Sequence, residues 1–144
     1  MKMDVLGVEL ELDFFDADQV EIYEQENKEV VERIKEPTQY EGKSNADAFR
    51  IQCNIINEFF DHIFGEGTAK KIFHGKNNLR DHMEAFAIVA DSAMSSRKEM
   101  KALEDRYTSN RAERRQTQKQ QNKQNFQTYV GRNYRDKGGK SQNR

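Results

Sequence analysis

Residues 49–64 read FRIQCNIINEFFDHIF and form the densest apolar pattern in the chain. Apolar side chains recur there at the spacing of one helix face, in a set made of Phe49, Cys53, Ile56, Phe60, Ile63 and Phe64, with Ile55 and Phe59 beside it. A stripe of this width is typical of a helix that buries one face. Ser44 and Asp47 predict its start as a capping box, and Gly65 predicts its end. We therefore expect this helix to be the centre of the core.

A strand is predicted near the start of the chain. From Val8 to Phe14 apolar residues alternate with acids, and a period of two indicates a strand with one buried face. A turn near Leu6-Gly7 would pair this strand with residues 3–5. The pattern therefore predicts a small N-terminal hairpin, which must pack on helices because an isolated hairpin is marginal in water.

A helix is predicted between the hairpin and the central helix. Asp16 is a good N-cap for it, and Pro37 ends it after about Glu36. Its expected inner stripe consists of Val20, Tyr23, Asn27, Val30, Val31 and Ile34. Residues 37–44 are predicted to form a loop.

Two further helices are predicted after Gly65. Thr68 is the expected cap of a short helix that ends at Gly75, and Asn78 is the expected cap of a long one that runs from Leu79 through at least Leu103. The inward positions of the long helix are expected to be Leu79, Met83, Phe86, Val89, Ala90, Ala93 and Met94.

Charge is sorted along the chain. Residues 1–105 carry 13 Lys and Arg against 23 Asp and Glu, whereas residues 106–144 carry 11 against 2, within a total of −1. Such asymmetry predicts an acidic folded part and a solvated basic arm that meets another macromolecule. From residue 116 onward Gln, Asn, Lys and Arg dominate without any period, so we expect residues 116–144 to be disordered in isolation.

The predicted fold is therefore mainly α. A small N-terminal β-hairpin packs on a bundle of three to four helices in an acidic domain of residues 1–108, and residues 109–144 form a basic tail that is disordered or folds on binding. An apolar content of 35% is low for a free-standing globule, so we expect some apolar surface to be covered by a partner or by copies of the chain itself, as a homo-oligomer. No apolar run approaches the roughly 18 to 20 residues that span a bilayer. We expect no membrane contact and a cytoplasmic location.

The sequence predicts no enzyme, no metal and no cofactor. Residues 65–71 carry glycines, a hydroxyl and lysines, but they join two helices and lack the spacing of a phosphate-binding loop. His62, His74 and His82 show no i, i+4 pair, and with one cysteine a zinc site is not expected. The histidines are therefore interpreted as partly exposed helix residues. Cys53 is interpreted as a small buried side chain.

The basic tail carries interleaved aromatic residues. Phe126, Tyr129 and Tyr134 lie among Lys and Arg, and this composition suits phosphate neutralisation with base stacking. It equally suits a tail that folds on an acidic helical partner, and a merely solubilising arm is a third interpretation. The sequence leaves all three open.

Three stretches carry a resemblance to a known group of proteins. They are residues 13–18 (DFFDAD), residues 59–73 (FFDHIFGEGTAKKIF) and residues 110–115 (NRAERR). The chain resembles, over about residues 5–115, small proteins encoded among the tail genes of siphophages and prophages of Gram-positive bacteria, which look like tail assembly chaperones. Relatives of this kind stop soon after the double arginine, so the extension after Arg115 departs from the pattern.

The resemblance implies a non-enzymatic function. Chaperones of this kind coat the long tape-measure protein before tail-tube subunits polymerise around it, and they are often made in a short and a frameshift-extended form. The implied partner is the tape-measure or another tail protein, bound in the host cytoplasm. Residues expected to bind partners are Phe59, Phe60 and Phe64 in apolar grooves, and Arg111, Arg114, Arg115, Phe126, Tyr129 and Tyr134 near the end of the chain.

An alternative function uses the tail alone. The chain would then be a phage nucleic-acid-binding or regulatory protein whose basic tail grips DNA or RNA. Salt distinguishes the two functions, because phosphate contacts weaken steeply with ionic strength whereas apolar contacts survive it.

Overall fold

A β-hairpin followed by helices makes up the part of the chain that the structure, a computed structural model, describes: the backbone of residues 1–141 and the side chains of residues 1–109 and 114–116. The elements in chain order are β1 (Lys2–Val5), β2 (Val8–Glu11), α1 (Ala17–Lys35), a 3-10 turn (Pro37–Tyr40), α2 (Asn45–Phe64), α3 (Thr68–Phe73) and α4 (Leu79–Ser141). This mainly helical architecture with an N-terminal hairpin confirms the predicted fold class.

The hairpin turns where the sequence predicts. The strands are antiparallel with Val5 opposite Val8, and the two residues between them have positive φ angles, 52° at Leu6 and 90° at Gly7. Two positive φ angles make the tight turn whose twist matches that of the strands. The Asp4 carboxylate accepts a hydrogen bond from the Gly7 amide at 2.8 Å, which closes the turn.

The second strand is shorter than predicted. β2 ends at Glu11, three residues before Phe14. One further backbone pair continues the ladder, because the Met1 amino group donates to the Leu12 carbonyl and the Leu12 amide donates to the Met1 carbonyl, both at 3.1 Å. Leu12 and Phe14 remain buried, so the apolar face extends beyond the regular strand.

Helix starts agree with the predicted caps at three of four sites. A side-chain oxygen accepts a hydrogen bond from the backbone amide three residues later in Asp16 to Gln19, Ser44 to Asp47 and Asn78 to Asp81. Each such bond satisfies an amide that the helix itself leaves unpaired. The loop after α1 contains the 3-10 turn Pro37–Tyr40, which local sequence did not predict.

The short helix α3 is present as predicted, but its predicted cap was wrong. Gly67, with a φ of 90°, is the N-cap, and Thr68 is the first helical residue. The Thr68 hydroxyl donates to the Gly65 carbonyl at 2.7 Å instead of capping the helix. Asp61 of α2 accepts from the Ala69 amide at 2.9 Å, so a residue from the preceding helix supplies the cap. Caps and turn bonds therefore account for residues 65–71 without a ligand.

Helix α2 is the centre of the core, as predicted. Its buried residues are Cys53, Ile55, Ile56, Phe59 and Phe60. The ring of Phe59 makes edge contacts with Tyr23 of α1 and Phe86 of α4, and Phe60 makes one with Phe73 of α3. The helix is thus covered from more than one side, and residues next to the expected stripe are buried as well.

Some residues expected to be inward are exposed. They are Val31 of α1, Phe49 of α2, and Met83 and Met94 of α4. The buried face of α4 instead includes His82, Ala85 and Ser96, one or two positions away from the two methionines. Counting only apolar residues shifted the predicted face, because two of the buried residues are polar.

The chain divides into two compact units, Met1–Met100 and Lys101–Arg144. The division falls within α4, somewhat earlier than the boundary expected at residue 108. Helical backbone continues to Ser141, whereas no regular structure was expected after residue 116. Gln, Lys and Arg are good helix formers and no proline follows Pro37, so the composition permits a helix even without an apolar period.

Candidate functional site

The unit Met1–Met100 has an apolar groove between α1 and α4. We call it the α1–α4 groove, and its lining residues are Phe14, Val20, Tyr23, Glu24, Ala93, Ser96, Arg97 and Met100. Apolar side chains dominate its floor, while one acid and one base, Glu24 and Arg97, lie at its edge. A groove of this composition suits an apolar helix with a mixed polar rim.

The floor of the α1–α4 groove is closely packed. The Tyr23 ring packs edge-on against Phe14, with centroids 5.5 Å apart, and against Phe59 at 6.2 Å. Burial raises the pKa of Tyr23, while nearby Arg97 acts in the opposite direction. Ser96 is buried and its hydroxyl lies 3.7 Å from the Met1 sulfur. The floor is therefore built from contacts within the unit Met1–Met100.

The wall of the α1–α4 groove is adaptable. Met100 lies at the end of this groove, and its side chain is 36% exposed. Methionine is unbranched and polarisable, and it is common on surfaces that bind varied apolar partners. A closely packed aromatic floor with a flexible methionine wall can accept side chains of different shapes.

A second depression lies beside the hairpin. We call it the β2 groove, and its lining residues are Glu9, Leu10, Glu11, Leu12, Gln19, Ile22, Ile63 and Phe64. Its apolar part comes from β2, the outer face of α1 and the last turn of α2. Ile22 is 47% exposed, and two carboxylates from β2 lie on the rim. This surface combines exposed apolar area with negative charge.

The expected groove residues on α2 separate into two groups. Phe59 and Phe60 are 1% and 0% exposed, so the expectation that they line an open groove was wrong. They are covered because α1, α3 and α4 all pack on α2. Phe64, half-buried, does line the β2 groove. Of the residues predicted near the end of the chain, Arg114 and Arg115 are exposed. The side chains of Arg111, Phe126, Tyr129 and Tyr134 lie outside the described residues.

Sequence reasoning missed two of the groove residues. Ile22 falls outside the inner stripe of α1, and Met100 lies where the apolar pattern of α4 thins. A single apolar residue on an otherwise charged helix face gives no periodic signal. Ile22 and Met100 line grooves only because elements that are distant in sequence pack together.

Comparison with known proteins places the chain in a family. Residues 6–119 match the model of a family described as Family of unknown function (DUF6673). The chain belongs to this DUF6673 family. No curated protein and no solved structure matches it. The matched range contains both grooves and leaves out the aromatic residues of the tail.

A buried histidine is the most unusual polar group of this DUF6673 chain. His82 is 0% exposed and stacks on Phe73, with ring centroids 3.6 Å apart, so the prediction that it is partly exposed was wrong. Burial lowers its pKa. Nδ1 lies 2.7 Å from the Asn78 carbonyl and therefore carries a proton. Nε2 lies 2.9 Å from the side-chain amide of Asn57.

The protonation of His82 fixes the orientation of Asn57. The neutral ring has one donor, which the Asn78 carbonyl uses, so its Nε2 must accept. The amide oxygen of Asn57 is placed toward Nε2, and this arrangement suits only the imidazolium. Because burial disfavours the charged ring, we assign the opposite amide orientation, with the Asn57 nitrogen donating to Nε2. His82 is then a satisfied structural residue.

Ion pairs tie the outer faces of α1 and α2 together. Glu26 accepts from Nδ1 of His62 at 2.9 Å, and Arg33 pairs with Glu58 at 2.7 Å. The Glu26 hydrogen bond raises the pKa of His62, and the Arg33 hydrogen bond lowers the pKa of Glu58. His62 is exposed, as predicted, so the charge of its imidazole is largely screened by water.

The described side chains of this DUF6673 chain bring together no group of three His, Cys, Asp or Glu residues that could hold a metal ion. Cys53 is buried, as predicted, and burial raises the pKa of its thiol. A buried thiol with a raised pKa is a poor nucleophile. Among the described residues, no helix is both long and apolar enough to cross a membrane.

Proposed function

We propose that this protein is a non-enzymatic phage tail assembly chaperone that binds the tape-measure protein during tail morphogenesis in the host cytoplasm. The proposal rests on the resemblance of residues 13–18, 59–73 and 110–115 to such proteins, and on an open apolar surface that could receive a helix. The observation that carries it is the α1–α4 groove.

The α1–α4 groove would bind an apolar helix of the tape measure by the helix-in-groove mode. Val20 and Met100 are the accessible apolar residues of its lining, so a partner helix would contact these two side chains first. Met100 would adapt to successive stretches of a long partner. Glu24 and Arg97 would meet polar residues at the edges of the partner helix. Such binding would keep apolar helices in solution until the tail tube forms around them.

Co-purification with the tape-measure protein tests this function. The full chain would be expressed with the tape-measure protein of its source phage or prophage and recovered at about 0.5 M salt, where the Debye length is only about 4 to 5 Å. We expect the complex to survive, because apolar contacts are not screened by salt. Failure to recover it from a folded chain would refute the proposal.

A matched pair of variants connects binding to the groove. Met100→Lys places a charge in the α1–α4 groove, whereas Met94→Lys places the same charge on the same helix outside it, at a residue that is 54% exposed. We expect Met100→Lys to reduce recovery of the tape-measure protein at least about tenfold, since a charge would be desolvated on binding. Equal recovery with both variants would exclude the groove as the binding surface.

Nucleic-acid binding is the second candidate function, because residues 106–144 carry 11 basic residues against 2 acidic ones. Arg114 and Arg115 are exposed and could contact phosphates. Binding of this kind would fall steeply between about 50 mM and 200 mM salt. Retention of DNA or RNA at low salt, without a tail protein at high salt, would favour this function over the chaperone.

A further inference from the structure

Among the described residues, no strand pairs with the outer edge of β2, which adjoins the β2 groove. In the two-stranded ladder, Met1 and Leu12 exchange both backbone hydrogen bonds, and bonded pairs alternate along antiparallel strands. The pairing therefore leaves the backbone groups of Glu9 and Glu11 on the edge away from β1. Such an edge is protected either by pairing with another strand or by being covered with a helix or loop.

Exposed apolar area adjoins this edge. Ile22 lies on α1 beside Phe64 and Leu10, which are both half-buried in the lining of the same groove. Burial of further apolar surface is favourable by about 25 cal/mol for each Å² removed from water. A segment that fits the β2 groove should therefore carry apolar side chains on one face.

The rim of the β2 groove is negatively charged. Glu9 and Glu11 are exposed, and on the same face of the hairpin they stand opposite Asp4 and Lys2. Three acids thus accompany one base, in a part of the chain, residues 1–105, that carries 23 Asp and Glu against 13 Lys and Arg. A matching segment should carry positive charge beside its apolar face.

Residues 126–134 of α4 have the required composition. In the sequence, Phe126, Tyr129, Val130 and Tyr134 follow at spacings of i, i+3, i+4 and i+8, which is the period of one helix face. Lys123 and Lys137 fall on that same side by spacing, one before and one after the aromatic residues. We call residues 123–137 the aromatic segment.

We propose that the β2 groove of one copy binds the aromatic segment of a second copy. We choose this occupant because the charges are complementary. The acidic unit of one copy would attract the basic segment of another. The contact is head-to-tail, so each bound copy leaves one free groove and one free segment. Association can then continue into chains of copies. The proposal uses a different surface from the α1–α4 groove and does not depend on the chaperone function.

Sedimentation velocity of the full chain at several concentrations tests the association. We expect the wild-type chain to form larger species as its concentration rises. Ile22→Lys places a positive charge in the β2 groove and should raise the dissociation constant at least about tenfold. Val31→Lys is the control, since it makes the same change on the same helix at a residue that is 38% exposed and outside the groove.

Mixing two defective chains identifies the partner. The double variant Phe126→Ser, Tyr134→Ser has an intact groove and a weakened segment, whereas Ile22→Lys has the reverse. Each should be monomeric alone, and together they should form a 1:1 complex that stops at two copies. Circular dichroism of both variants would show that they are folded.

Three outcomes would overturn the proposal. The first is a wild-type chain that stays monomeric at all concentrations. The same result would be seen if the aromatic segment bound the β2 groove of its own chain. The second is equal association of Ile22→Lys and Val31→Lys. The third is an aromatic segment that binds single-stranded nucleic acid while the mixed variants form no complex.

Discussion

The aromatic cluster around α2 and the α1–α4 groove share Tyr23 but differ in how completely they are filled. The cluster consists of the rings of Tyr23, Phe59, Phe60, Phe64, Phe73 and Phe86. Phe60 is covered by Phe64 and Phe73, and no polar atom of the neighbouring His82 lacks a partner. The groove, in contrast, leaves Met100, which is 36% exposed, beside open space. The cluster therefore provides stability, whereas the groove offers apolar area that only a second molecule can bury.

Removing a ring from the aromatic cluster should have the largest effect. Phe60→Ala leaves a cavity at a fully buried position, and we expect it to lower the free energy of unfolding by about 3 to 5 kcal/mol. Urea unfolding followed by far-UV circular dichroism measures the change. Phe49→Ala removes an exposed ring from the same helix and should cost less than about 1 kcal/mol. Similar losses in both variants would contradict the difference between filled and open surfaces.

The pH dependence of stability should depend on His82. Burial lowers its pKa below the ordinary value of 6.5, so the unfolded chain takes up a proton first as the pH falls. Its contribution is therefore complete above about pH 6.5 and is lost as the pH falls below that value. His62 acts in the opposite direction, because its pKa is raised, but it is exposed and its effect is smaller.

Asn57→Asp isolates the contribution of His82. A carboxylate beside Nε2 accepts a hydrogen bond from the charged ring, so this variant should raise the pKa of His82. We expect it to lose less stability than the wild-type chain between about pH 7.5 and about pH 5. Urea unfolding at several pH values makes the comparison. Parallel curves for the two chains would show that His82 does not titrate in this range.

The cap between α2 and α3 should have a smaller effect. Asp61→Ala removes the acceptor for the Ala69 amide and should cost about 1 kcal/mol, the usual value for a lost N-cap. Asp47→Ala breaks an exposed pair with Arg50 and should cost about 0.5 kcal/mol or less. The midpoint of thermal unfolding should therefore be lower for Asp61→Ala than for Asp47→Ala. If Asp47→Ala is the more damaging variant, α3 is held by its packing alone.

Local signals in the sequence predicted much of the fold. Asp16, Ser44 and Asn78 each cap a helix through an amide three residues later, and such a bond depends on neighbours in the sequence. The turn at Leu6-Gly7 is equally local. Asp61 could not be recognised as a cap, because its acceptor role depends on how α3 is placed after Gly65 and Gly67.

The faces of the helices were harder to predict. An apolar period cannot include His82 or Ser96, yet both are buried in α4 because the first has hydrogen-bond partners and the second is small. Phe59 is buried because Tyr23 and Phe86, which are distant in sequence, meet on it. Both grooves arise in the same way. Their width depends on the distance between packed elements, and the sequence of a single segment does not determine that distance.

Substitutions in the α1–α4 groove should change stability least. Met100 is exposed and completes no part of the core, so Met100→Lys should change the free energy of unfolding by less than about 0.5 kcal/mol, as should Met94→Lys. Urea unfolding of both variants checks this. A large loss in Met100→Lys alone would mean that the methionine closes the groove in the free protein. The groove would then be part of the core, and its difference from the aromatic cluster would be one of degree, with no open surface left for a partner helix.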